Sequence, residues 1–279
     1  MMQKIKQRFV KVALCQRCSS GDKEENIRGS VAMIEEALAC RPDLDVIVFP
    51  EYNCNKPASL DETVATAEDE DGPYVSAMRE QAKKHGVNIL PGTFLEKHDG
   101  KKTRNTCVFL NRDGQIIARY SKVHLMDAIG VKESNFTEPG DKMCVFDADF
   151  ARVGIMVCFD LRFPEMPRSM VLAGAEVILC PALFPSGAVL PLRSDHWDIL
   201  TAGTALYNLT WVCAVNQFGQ VNSDLPFGRS RVIDPWGTVT ASASGRQEVV
   251  HATLDMEYMM EIRSRVATLD ARRPDVYKL

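Results

Sequence analysis

No stretch of this sequence is apolar for long enough to cross a bilayer as a helix, which takes about 18 consecutive apolar residues. The basic start, MMQKIKQRFV, is followed only by VKVALC before polar residues return, too little for a secretory signal core. Charge of one sign is also missing. Lys and Arg total 33 against 37 Asp and Glu, a net of −4, and this balance gives no electrostatic footprint for nucleic acid or an anionic membrane surface. No linker rich in Gly, Ser or Pro interrupts the chain and no repeat of solenoid length recurs, so residues 1–279 read as one domain. Cysteine, by contrast, is plentiful. There are nine, an odd number at irregular spacing, mostly inside apolar runs such as TCVFL, VILCP and WVCAV. That pattern suits reduced thiols in a cytoplasmic protein rather than a disulfide framework. Cys15 and Cys18 form a C-x-x-C, but a zinc site needs two more ligands at matching spacing, so no metal is expected.

The order of elements favours an α/β architecture. FVKVALCQ reads as a first strand, and Ile27, Val31, Ile34 and Leu38 then recur at helical spacing. DVIVFP is a short, wholly apolar strand of the kind buried on both faces. A helix around Val75, Met78 and Ala82 precedes a strand at VNILPGTF. The middle of the chain reads as hairpins: TCVFLNRDGQIIARYS turning at Arg112-Asp113-Gly114, then CVFDADFARVGIMV, and later RVIDPWGTVTAS. Helices are expected near Met166–Ala173, ending near Tyr207, and over DMEYMMEIRSRV. The acidic run EDEDG, Glu68 to Gly72, reads as a solvated loop, and the Arg-rich end, about 267–279, as an extended tail.

Three chemically capable residues share one placement. Glu51 follows DVIVFP, Lys122 follows IIARYS, and Cys158 follows VGIMV, each where an apolar strand ends. Functional groups in α/β folds gather on the loops beyond strand ends, so three strands could bring these side chains together. Cys158 alone could equally be an inert core thiol. Taken jointly, a carboxylate can accept the thiol proton. A lysine can offset the charge of a tetrahedral intermediate, and a turn opening after Cys158 would add backbone N–H groups. Such a set suits attack on an amide carbonyl through a thioester. His124, two residues beyond Lys122, offers a rival Cys–His arrangement. Asp160, Arg162 and Glu165 read as a structural ion-pair group. Tyr52, Asn53, Phe159 and Phe184 are the candidate pocket walls.

FPEYN at Phe49–Asn53, YSKVHL at Tyr120–Leu125 and VCFDLRFPE at Val157–Glu165 resemble the three signature segments of the nitrilase superfamily, the carbon–nitrogen hydrolases. EPGD at Glu138–Asp141, DPWG at Asp234–Gly237 and the closing RRPDVY extend the likeness over nearly the whole chain. The resemblance implies a four-layer α-β-β-α sandwich that pairs into homodimers or higher oligomers through its helical layers, with the tail at the interface. It implies Glu51 as general base, Lys122 as stabiliser of the tetrahedral intermediate and Cys158 as nucleophile. Glu133, in preference to Glu138, becomes the second acid, and the Phe159 N–H completes an oxyanion hole. No cofactor is implied. CFDLRFPE is nearer the ω-amidase and deaminated-glutathione amidase branch than true nitrilases, so a small linear amide is the expected substrate. An N-carbamoyl compound is the alternative, and a catalytically silent scaffold a further one. Two stretches depart from the family pattern: TAGTALYN (Thr201–Asn208) lacks the usual Arg and Glu, and FPSGAVLPLRSDHW (Phe184–Trp197) is longer than usual. Both are expected to shape the substrate pocket.

Overall fold

A computed structural model describes residues 5–186 and 193–277. Strands β1 (Phe9–Gln16), β2 (Val46–Val48), β3 (Asn88–Leu90), β4 (Phe94–Lys97), β5 (Thr103–Leu110) and β6 (Ile116–Ser121) form one sheet. It is completed at its edge by β13 (Glu248–Asp255), antiparallel to β1. The other sheet runs in the order β12 (Val239–Ser242), β11 (Arg231–Ile233), β10 (Trp211–Asn216), β9 (Val177–Ala182), β8 (Arg152–Ile155) and β7 (Cys144–Asp147).

Side-chain alternation explains the layering. Val12, Leu14, Val48, Leu90 and Phe109 of the first sheet point into the core shared with the second sheet. Their neighbours Ala13, Cys15, Ile47, Ile89 and Val108 point the other way, onto α1 (Lys23–Cys40) and α3 (Pro73–His85). The second sheet is covered by α4 (Glu165–Leu172) and α5 (Arg193–Asn208), through Met170, Trp197 and Ala205. The result is the α-β-β-α sandwich. A sheet with helices on one side and another sheet on the other is buried on both faces, which is why VIVFP and VILCP, after their leading acids Asp45 and Glu176, are apolar throughout.

The three hairpins form as the sequence predicts, β5–β6, β7–β8 and β11–β12 all pairing antiparallel. Three elements differ from expectation. VNILPGTF divides into β3 and β4 at Gly92, whose φ is +79° and whose added Cβ would lie 1.9 Å from the Pro50 carbonyl oxygen. The Pro50 loop that carries Glu51 is therefore seated on a position only glycine can fill. EVVHATLD, with no expected role, is β13, paired to β1 along its whole length. Glu68 is not solvated. It is buried, pairs with Lys23 at 2.5 Å, and accepts the backbone N–H groups of Tyr74 and Val75 at 3.1 and 3.2 Å. Those are orphan donors of the first turn of α3, so Glu68 caps that helix from outside it.

Candidate active site

β2, β6 and β8 end on the same side of the sandwich, and the residues that follow them meet around one cavity of about 70 Å³. Glu51, Lys122, Glu133 and Cys158 all line it. Lys122 Nζ donates to Glu51 Oε1 and Glu133 Oε2, both at 2.9 Å. Its position is fixed from both sides: its N–H donates to the Asn105 carbonyl at 2.9 Å and its carbonyl accepts from Gly140 at 2.8 Å. Glu133 arrives on a single 3₁₀ turn, Glu133–Asn135, and its carboxylate also accepts the Met126 N–H at 2.7 Å and the Tyr52 hydroxyl at 3.1 Å. Glu51 accepts the Leu183 N–H on its other oxygen at 2.8 Å. Asn105 Nδ2 reaches Glu51 at 2.9 Å and Glu133 at 3.3 Å, and Gln217 donates to the Glu51 carbonyl at 2.6 Å.

The electrostatics follow from this packing. Burial works against the charge of Lys122, but Glu133 and Glu51 outweigh it and hold the ammonium well above its ordinary pKa. Burial opposes ionisation of Glu133 too, yet Lys122 and the hydrogen bonds it accepts leave its carboxyl below the usual range. The Cys158 thiol is pushed well up, first by burial and then by Glu51, with Lys122 opposing. The resting site is thus a thiol beside a carboxylate, not a preformed thiolate.

Cys158 has φ +48°, a strained value for a side chain with a Cβ, at the start of the 3₁₀ turn Cys158–Arg162. The turn is held by Asp160, which is fully buried and accepts the Val157 N–H at 2.8 Å and the Tyr120 hydroxyl at 2.6 Å. Leading backbone N–H groups of such a turn have no partner within it and are free to face the cavity. Tyr52, next after Glu51, takes φ +57° as well, so the thiol residue and the neighbour of the carboxylate both occupy left-handed backbone.

Not every candidate joins the site. Tyr52, Phe159 and Phe184 line the cavity. Asn53 does not: its amide turns away to Tyr74 and Ser30 and accepts from Arg17. His124 lies against Asp160 at 2.7 Å and stacks on Phe163, with ring centroids 3.7 Å apart, and is not among the residues lining the cavity. Arg162 pairs with neither Asp160 nor Glu165. It approaches His196 at 3.2 Å and lies over the Phe184 ring. The segment Thr201–Asn208 sits away from the cavity, on α5, where Gly203, Thr204 and Tyr207 line a separate groove of about 600 Å³. Part of Phe184–Trp197, residues 187–192, lies outside the described residues. Asn105 and Gln217 join the site with no counterpart among the sequence candidates. A polar residue at an inward position of an apolar strand was the available signal for Asn105.

The family model for carbon-nitrogen hydrolase matches residues 11–264. Deaminated glutathione amidase of Rattus norvegicus is 31% identical over 95% of this chain and 84% of its own length. Omega-amidase NIT2 of Danio rerio is 29% identical over 96% of each. Among solved structures, Nit3 of Saccharomyces cerevisiae, a member of branch 10 of the nitrilase superfamily, superimposes with a TM-score of 0.85 at 30% identity, covering 95% of this chain and 97% of that one. Its three signature segments converge on one cavity and the family model spans most of its length, so the chain belongs to the carbon–nitrogen hydrolases of the nitrilase superfamily.

Proposed function

We propose that this protein hydrolyses a small linear amide to a carboxylate and ammonia through a Cys158 thioester. The observation that carries this is the Glu51–Lys122–Glu133 network lining the same cavity as Cys158. Sγ attacks the carbonyl carbon while Glu51 takes the thiol proton, which removes the need for a free thiolate. The oxyanion that forms is met by the Lys122 ammonium and the Phe159 N–H. Glu51 then gives its proton to the departing nitrogen, and ammonia leaves as the C–N bond breaks. Glu51 next deprotonates a water that attacks the thioester, Sγ leaves, and the proton returns to it. Glu133 holds Lys122 and orients substrate and water. These steps use only side chains, backbone and water. The amidase names of the relatives support the substrate class.

Wild-type protein is expected to release ammonia from short primary amides, and acid quenching to leave an acyl group on the Cys158 peptide in mass spectrometry. Turnover without that adduct, retained in a Cys158→Ala variant, would exclude the thioester route.

The assembly we infer is a homodimer, with residues 1–279 acting as a single hydrolase domain in the cytoplasm. The groove on α4 and α5 is bordered by Ile199 and Tyr207, 69% and 68% exposed, and by Thr268, Arg272 and Tyr277 of the tail. Exposed apolar surface of this kind suits a second copy. Light scattering on Ile199→Asp is expected to show monomer, and a monomeric wild type would overturn the assignment. Nine unpaired cysteines, seven of them buried, agree with a reducing compartment. No helix among the described residues is long and apolar enough to cross a membrane.

A further inference from the structure

Asn105 sits on β5, its carbonyl accepting the Lys122 N–H at 2.9 Å, and its side chain is fully buried. Its Nδ2 donates to Glu51 Oε1 at 2.9 Å and to Glu133 Oε1 at 3.3 Å. Its Oδ1 has no hydrogen-bond partner. A half-turn of the amide would exchange the two ends. It would also set the oxygen against two carboxylates, so the acids themselves fix the orientation found. A buried acceptor left without a partner costs stability. An amide that carries this cost while its nitrogen serves two acids is placed for what the nitrogen holds.

The nitrogen divides the work between the two oxygens of Glu51. Oε1 accepts from two donors, Lys122 Nζ and Asn105 Nδ2, both at 2.9 Å. Oε2 accepts one, the Leu183 N–H at 2.8 Å. Leu183 also holds the thiol, since Cys158 Sγ donates to its carbonyl at 3.4 Å. One residue thus holds both Oε2 and Sγ, and Oε2 keeps a lone pair for a proton. An oxygen already engaged by an ammonium and an amide N–H is the poorer acceptor. Lys122 by itself would not pin Oε1, because its donors rotate and it also serves Glu133 Oε2. The amide is planar and neutral, and it gives up no proton during the reaction.

We propose that Asn105 is a positioning residue, which holds Glu51 Oε1 and ties it to Glu133 so that Oε2 is the oxygen that takes the Cys158 proton. The step it serves rests on the amidase reading above. In that step the Sγ–H bond breaks, an O–H bond forms at Oε2, and the electron pair left on sulfur makes the bond to the carbonyl carbon. Asn105 is not among the residues lining the cavity, so its effect falls on kcat rather than KM. The titratable groups of the cluster are Glu51, Glu133, Lys122, Tyr52 and Cys158, with Arg193 at the same cavity.

The test uses Asn105→Ala and Asn105→Asp, with melting temperatures to confirm folding. On the short primary amide that wild type turns over fastest, Asn105→Ala is expected to lower kcat about 30-fold, the loss of one hydrogen bond to a charged group, with KM within about threefold. Asn105→Asp keeps the shape. Its new carboxyl, buried beside two others, stays protonated to higher pH than usual and can then donate to Glu51 in place of the amide. Its kcat is expected within about threefold of wild type near pH 6 and to fall at least about tenfold further than wild type by pH 8.5. A residue that only supported the fold would not produce that alkaline loss. If Asn105→Ala does not fold, the Asn105→Asp series carries the test. Proton removal is read apart from amide turnover by the rate at which iodoacetamide alkylates the Cys158 peptide, followed by mass spectrometry. Asn105→Ala is expected to slow it about 10-fold. Unmoved kcat and alkylation, a loss confined to KM, or an Asn105→Asp profile parallel to wild type overturns the role of Asn105 and leaves the amidase reading standing. Slowed alkylation in a protein whose wild type turns over no amide would overturn the amidase reading and keep the positioning role.

Discussion

Lys122 and His124 leave the same strand two residues apart, yet one ends among carboxylates beside a thiol and the other flat against a phenylalanine ring. Each belongs to a buried acid-centred network. Asp160 accepts from Tyr120, Val157, the His124 backbone N–H and the His124 ring Nδ1, at 2.6 to 3.1 Å. Glu51 and Glu133 accept from Lys122, Asn105, Tyr52, Met126 and Leu183. Every carboxylate oxygen in both networks has a partner, so hydrogen-bond count does not separate them. What separates them is where they face. Glu51, Lys122 and Glu133 border the cavity, whereas Asp160 is fully enclosed beneath the Cys158 turn. The first network can meet a substrate. The second can only hold the backbone that presents the thiol.

The comparison breaks most visibly at Cys158. Replacement by Ala should lower amide turnover by at least about 10⁴-fold while leaving the fold intact, as stopped ammonia assays and circular dichroism would show. Glu133→Gln should lower kcat about 10²-fold, by releasing Lys122 and the water it orients. It should also alter the pH dependence of stability in a definite direction. The native carboxyl of Glu133 is held below its ordinary value, so its contribution is present above the unfolded-state pKa and lost as pH falls through the native one. Lys122 is raised, so its contribution is complete below the ordinary 10.5 and lost as pH rises through the native value. Urea unfolding should thus show a plateau between about pH 5 and 10, with a shallower acid limb in Glu133→Gln.

Asp160→Asn tests the supporting network. An amide cannot accept from all the donors Asp160 serves, so a loss of about 2 kcal/mol is expected, a few degrees in Tm, with activity falling because the turn loosens. His124→Gln should be the mildest, within about 10-fold of wild-type turnover. A Cys–His mechanism would instead demand a loss of about 10²-fold or more for that substitution, so this one measurement distinguishes the two networks.

Much of this was legible in the chain. Glu51, Lys122 and Cys158 stand at the ends of apolar strands, and the hairpins carry their own turn residues. Other features were hidden for physical reasons. EVVHATLD has weak alternation because it is an edge strand, half wet, so its pairing with β1 could not be read locally. Glu68 looks like part of a solvated acidic run, and only the approach of α3 and Lys23 makes it a buried cap. Asn53 sits beside Tyr52 in sequence, but the positive φ of Tyr52 sends the two side chains to opposite sides of the loop.

The sequence by itself determined the α/β order of strands, helices and hairpins, because apolar period and turn chemistry are local, and it determined which three residue types stand at the strand ends. Tertiary structure alone decided their partners. It turned Glu133 toward Lys122 and His124 toward Asp160, since distances between segments far apart in the chain depend on how two sheets pack.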